Sequence, residues 1–88
     1  MNVILNGNDM ITKKSTHLYL KEHLPLPSYF GNNLDALWDV LSCYSEHLDI
    51  TLNNKEELIK NLGDYGEAII KVLTDAAREN DNILFDVI

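Results

Sequence analysis

Leu26-Pro27-Ser28-Tyr29-Phe30-Gly31-Asn32-Asn33-Leu34-Asp35-Ala36-Leu37-Trp38-Asp39 contains a stop and a start. Pro27 has no amide hydrogen and a fixed φ, and the residue before a proline avoids helical backbone. With Pro25 it ends any helix arriving from upstream, so Leu26 to Gly31 reads as a loop. Asn33 is a favourable N-cap. Beyond it Leu34, Leu37, Trp38 and Leu41 follow the i, i+3, i+4, i+7 pattern of a buried helical stripe. The spacing predicts a helix from Asn33 to about Tyr44.

Upstream, Val3-Ile4-Leu5 is a short apolar run stopped by Asn6-Gly7, which reads as a strand. Thr12 to Leu24 reads as a helix, with Leu20 and Leu24 one turn apart, His17 a turn earlier, and Thr12 or Ser15 as its cap. Downstream, Asp49 to Leu52 is a second strand ended by Asn53-Asn54. Lys55 to Leu62 is a short helix closed by Gly63, a residue suited to the position after a helix. Asp64-Tyr65-Gly66-Glu67 has the spacing of a capping box with Asp64 as cap. It opens a helix to about Asn80 whose inward face is Ala68, Ile69, Val72, Leu73 and Ala76. Ile83 to Ile88 is a final apolar strand interrupted by Asp86.

The order β-αα-β-αα-β places long helical crossovers between strands, which makes the strands parallel and the connections right-handed. The expectation is a single α/β domain over residues 1–88, a three-stranded parallel sheet packed with four helices. Short strands without polar alternation imply a sheet buried on both faces, and Asp86 fits that poorly.

The 88 residues carry a net charge of −7, so a nucleic-acid backbone and an anionic membrane surface are disfavoured partners and a basic protein is a compatible one. Solubility alone also accounts for such a charge. No run approaches the roughly 20 apolar residues of a membrane span. The N-terminal stretch lacks the basic start of a signal peptide, and one cysteine, Cys43, allows no internal disulfide. The expected location is the cytoplasm.

The helix after Asn33 carries the unusual chemistry. At about 100° per residue, Asp39 lies roughly 40° from Asp35, while Leu34, Leu37 and Leu41 cluster at about 200–260°. Trp38, near 300°, borders both stripes. Asp35 meets the positive end of the helix dipole. Asp39 repels Asp35 across one turn and is a poor interior helix former, so local stability does not explain it. Glu46 extends the acidic stripe past the helix. A half-exposed Trp between carboxylates suits a cationic partner, and a core Trp beside a solvated acidic face gives the same pattern. Of Tyr29 and Phe30, one is expected inside and the other exposed. Gly31 either supplies a positive φ for the turn or lets another backbone approach closely.

These residues, in the form L-P-x-Y-[YF]-G-x-N-L-D-A-L-W-D, closely resemble the central motif of the barstar family, intracellular inhibitors of barnase-type extracellular ribonucleases. Similarity extends to the Val3-to-Gly7 segment, Leu20, Leu24, the last helix and the last strand, and is weak from about Glu46 to Tyr65. The resemblance implies the same three-stranded, four-helix fold. It also implies a stoichiometric 1:1 blockade of a small basic secreted ribonuclease by a monomer, with no cofactor or metal and no catalysis of its own. Asp39 would stand where substrate phosphate lies, facing basic side chains and the catalytic histidine, and Asp35 would meet a basic residue at the rim. Tyr29 would pack on the catalytic imidazole, with Gly31, Asn33 and Trp38 supplying contacts. On the last helix Asp75 matches a family Glu that reaches the enzyme, one methylene shorter. Ser42-Cys43-Tyr44-Ser45 departs from the family pattern, so Tyr44 at that edge bears on partner choice.

Two other classes are weighed. Asp35 and Asp39 as an acid/base pair would make an enzyme, but both lie on one exposed face, and the sequence shows no sign of a cleft or of opposing groups. His17, His23 and His47 are not spaced as a metal site, with His17 expected partly buried and the others on the surface; Cys43 has no cationic neighbour to activate it and is expected packed or half-exposed. The other class is an acidic binding module, or an immunity protein for a different basic nuclease toxin.

Overall fold

Residues 1–88 are all described by the structure, a computed structural model. Val3 and Leu5 lie on one side of strand β1 (Asn2–Asn6) and are buried, whereas Asn2 and Ile4 on the other side are exposed. The same alternation marks β2 (Leu48–Asn53), whose Leu48, Ile50 and Leu52 are buried. Both strands pair in parallel with β2 at the centre: Val3 opposes Ile50, and Ile50 opposes Phe85 of β3 (Ile83–Val87). Between β1 and β2 run a short 3-10 turn (Gly7–Asp9), α1 (Lys13–His23) and α2 (Leu34–Ser42). Between β2 and β3 run α3 (Lys55–Leu62) and α4 (Asp64–Glu79). This is the expected order, sheet and helix number.

The sheet is not buried on both faces as expected. Its period-2 alternation leaves Ile4 at 61% and Leu84 at 49% exposure on the face that Asp86 shares. Two layers suffice for a chain of this length, which has too little apolar surface to cover a second face. Asp86, exposed opposite Thr51, is thereby explained.

Thr12 caps α1 by accepting from the Ser15 amide at 3.1 Å, while the Ser15 hydroxyl accepts from the Thr12 amide at 3.0 Å. The expected capping box at Asp64 does not form. Gly63 alone separates α3 from α4, closing one helix and opening the next, so Asp64 is already helical. Its φ of 57° and ψ of −128° are a conformation that only glycine adopts without strain. α4 presents Ile69, Leu73 and Ala76 to the core, with Ala68 and Val72 half-buried beside them.

α2 ends at Ser42, two residues before the expected Tyr44. The buried Asn80, after α4, takes over there: its amide nitrogen donates to the carbonyls of Leu41 at 2.9 Å and Tyr44 at 2.8 Å. α2 thus lies along α4, with Leu37 and Leu41 fully buried in a core of sixteen apolar residues.

Candidate functional site: an acidic helix and the loop that feeds it

The loop from Leu24 to Asn33 is held at several points. The Leu26 amide donates to Leu24 at 2.7 Å, the Phe30 amide to Pro27 at 3.0 Å, and the Lys21 ammonium to the Ser28 carbonyl at 3.1 Å. Phe30 points inward and is 5% exposed, with its ring 6.1 Å from that of His17. His17 is buried more fully than expected, hydrogen-bonded to the Tyr65 hydroxyl, and burial holds its imidazole below the ordinary pKa range. With Phe30 pinned, Tyr29 is turned outward and is 86% exposed. The expectation of one aromatic in and one out is met.

The positive φ of the turn falls on Asn32 (53°) and not on Gly31. Asn visits the left-handed region with little penalty, which frees Gly31 from that role. Gly31 is exposed, and its carbonyl accepts from the Asn33 side chain at 3.2 Å. The Asn33 side-chain oxygen caps α2 by accepting from the Ala36 amide at 2.8 Å.

On α2 the hydrophobic stripe faces the core and the acidic stripe faces solvent. Asp35 and Asp39 are both exposed, and neither carboxylate has a hydrogen bond or ion pair within the chain. Trp38 is half-buried, packed against the core at the border of the two stripes. Grooves flank α2. One, of about 360 Å³, has Asp35 and Trp38 on one wall and Lys71, Val72 and Asp75 of α4 on the other. The second runs between α2 and the loop, with Tyr29, Asp39 and Cys43 on its walls. Cys43 is exposed, contrary to the packed or half-exposed position expected, because it follows α2 on the solvent side, about 80° from Asp35 and away from the buried stripe.

At the edge, Tyr44 is half-buried and donates from its hydroxyl to Glu46 at 3.3 Å. Burial and the Glu46 carboxylate push its phenol pKa upward. Asp75 differs from the other acids. Its Oδ2 lies 2.9 Å from Lys71 and its Oδ1 3.7 Å from Arg78. The sequence reading missed these partners, although Lys71 and Asp75 stand at the i, i+4 spacing that predicts a pair. Of the expected contact residues, the structure gathers Tyr29, Gly31, Asn33, Asp35, Trp38 and Asp39 on one continuous loop and helix. Asp75 faces Asp35 and Trp38 across the first groove.

The chain is therefore an acidic α/β protein that presents two exposed, internally unbonded carboxylates one turn apart on α2, beside an outward-facing tyrosine. It belongs to the barstar family: residues 1–88 match the family described as Barstar (barnase inhibitor). It is also 36% identical, over 78 residues, to a Bacillus subtilis (strain 168) protein named "Putative ribonuclease inhibitor YrdF", an alignment that covers 88% of this chain and 86% of that one. No helix is long and apolar enough to cross a membrane.

Proposed function

We propose that this chain inhibits a small, basic, secreted guanyl-type ribonuclease by closing its active site with α2 and the preceding loop. It acts in the cytoplasm as a monomer, one inhibitor per enzyme, and catalyses nothing itself. The observation that carries this reading is the free state of Asp35 and Asp39, one turn apart on a helix fixed by core packing and an Asn33 cap. A site that stabilises phosphate is strongly positive, and a carboxylate held stiffly at the right place substitutes for phosphate with little ordering cost. Asp39 takes the phosphate position and Asp35 a basic residue at the rim. Tyr29 lies over the catalytic imidazole, with Gly31, Asn33 and Trp38 in contact around it and Tyr44 and Glu46 at the edge. Exposed Gly31 adds no side chain between the two surfaces.

The test is titration of a purified small basic guanyl-type microbial ribonuclease with the chain and with Asp39→Ala. Losing one member of a desolvated charge pair costs about 3–5 kcal/mol, so inhibition should weaken by about 10²–10⁴-fold. The variant's melting temperature should be unchanged or slightly higher, because the repulsion between Asp35 and Asp39 is gone. Equal inhibition by both proteins overturns the reading. Salt-sensitive binding to basic proteins without inhibition points instead to an acidic binding module or an immunity protein for another nuclease toxin.

A further inference from the structure

Asp75 is the acid that the groove turns toward the partner, yet it is the one least able to meet a cation. Both of its oxygens face cations of its own helix, Lys71 at 2.9 Å and Arg78 at 3.7 Å. The exposures decide what an approaching surface touches first. Lys71 and Arg78 are 76% and 71% exposed, whereas Asp75 is 30% exposed beneath them. Around Asp75 itself two cations thus meet one anion, although α4 as a whole, with Asp64, Glu67 and Glu79 also exposed, carries a net of −2. The α2 side carries Asp35, Asp39 and Glu46, a net of −3. The groove shared by Asp35, Trp38, Lys71 and Asp75 puts both signs within one footprint. Exposed pairs of this spacing contribute little to folding, so stability does not account for the arrangement.

We propose that Lys71 and Arg78 determine specificity: they withhold Asp75 from the partner and put two positive charges in front of any cation that would reach it. The enzyme that fits is basic opposite α2 and places no cation opposite Asp75. Complementary charge sets partner choice and register, and a like charge placed opposite excludes the wrong partner. This rests on the ribonuclease-inhibitor reading above.

The test uses the full chain and the secreted ribonuclease of the same organism that it inhibits most tightly. Dissociation rates are measured for Asp75→Asn in the wild type and in Lys71→Gln/Arg78→Gln, with Asp39→Ala as control. Net charge alters association with any basic enzyme, so the dissociation rate is the discriminating quantity. Asp75→Asn should raise it by less than about twofold in the wild type and by about fivefold or more once both cations are gone, a coupling expected of one charge network. Equal effects in the two backgrounds overturn the proposal. Lys71→Glu/Arg78→Glu should leave the dissociation rate unchanged or raise it; a slowing of about tenfold reveals a cation opposite Asp75 and overturns it too. Thermal melts of each variant separate loss of fold from loss of contact. Full inhibition by Asp39→Ala sinks the inhibitor reading itself and is visible independently of the Asp75 coupling.

Discussion

Asn80 and Leu41 join the two crossovers side chain to main chain: the Asn80 side-chain amide nitrogen donates to the Leu41 carbonyl oxygen at 2.9 Å. The same nitrogen reaches Tyr44 at 2.8 Å. The end of the acidic helix is therefore fixed by a residue that follows α4 and precedes the last strand. Asn80→Ala removes two hydrogen bonds from the end of α2, where the Tyr44 carbonyl keeps only Asn82 at 3.2 Å and the Leu41 carbonyl only backbone amides, which costs about 0.5–1.5 kcal/mol per bond. In a domain of this size that lowers the melting temperature by about 4–8 °C per kcal/mol. Calorimetry or a dichroism melt measures it, and an unchanged melt shows that Asn80 is not what fixes the helix end.

Tyr29 and Phe30 are neighbours with opposite duties. Phe30→Ala empties a core position and costs about 3–5 kcal/mol of stability. Tyr29 is 86% exposed, so Tyr29→Ala should stay within about 0.5 kcal/mol of wild type in a melt. It should still weaken ribonuclease inhibition, because an exposed aromatic of this kind supplies contact area. Parallel melts and inhibition titrations of the two variants separate the roles. A Tyr29→Ala protein that inhibits like wild type removes Tyr29 from the contact surface.

His17 makes stability fall in mild acid. Burial lowers its folded pKa below the ordinary 6.5. Between the folded value and 6.5 the unfolded chain holds a proton that the folded chain lacks. Stability from neutral His17 is complete above 6.5 and is lost as the pH falls from there to the folded pKa. Melting temperatures taken downward from pH 7.5 should therefore start to drop below 6.5. His17→Leu should flatten that part of the profile. An identical slope in the variant assigns it to other groups.

Gly7 permits the contact between the 3-10 turn and the start of α3. A Cβ there falls 2.0 Å from the Asn54 carbonyl oxygen and 3.1 Å from the Leu58 nitrogen. Both are main-chain atoms, so the backbone itself must shift. Gly7→Ala should cost about 1–3 kcal/mol, the usual penalty for overpacking. Urea denaturation gives the value, and wild-type stability in Gly7→Ala excludes a close approach here.

Much of this fold is legible locally. The apolar runs around Val3, Ile50 and Ile83 mark the strands, and the Leu34-Leu37-Trp38-Leu41 spacing marks the helix and its buried side. The carboxylate stripe follows from the same spacing. What is not legible depends on distant partners. Ser42 ends α2 where Asn80, far along the chain, takes over its carbonyls. Asp64 has the right neighbours for a cap, but Gly63 is needed to reverse the chain between two abutting helices. Gly31 looks like the turn residue, yet Asn32 tolerates the left-handed backbone and takes that place. The outward face of Ile4 and Leu84 reflects how few helices there are to cover a sheet, a property of the whole chain.

Parallel pairing sends all three strands the same way, and this sorts the molecule's two extremities. The Met1 ammonium donates to the His47 carbonyl at 3.1 Å, beside Glu46, while the Ile88 amide donates to Leu52 at the opposite end of the sheet. About five residues of strand, roughly 16 Å, separate those ends. A fluorophore, affinity handle or surface tether attached at Ile88 is thus held clear of the Glu46 edge, whereas the same attachment at Met1 crowds it.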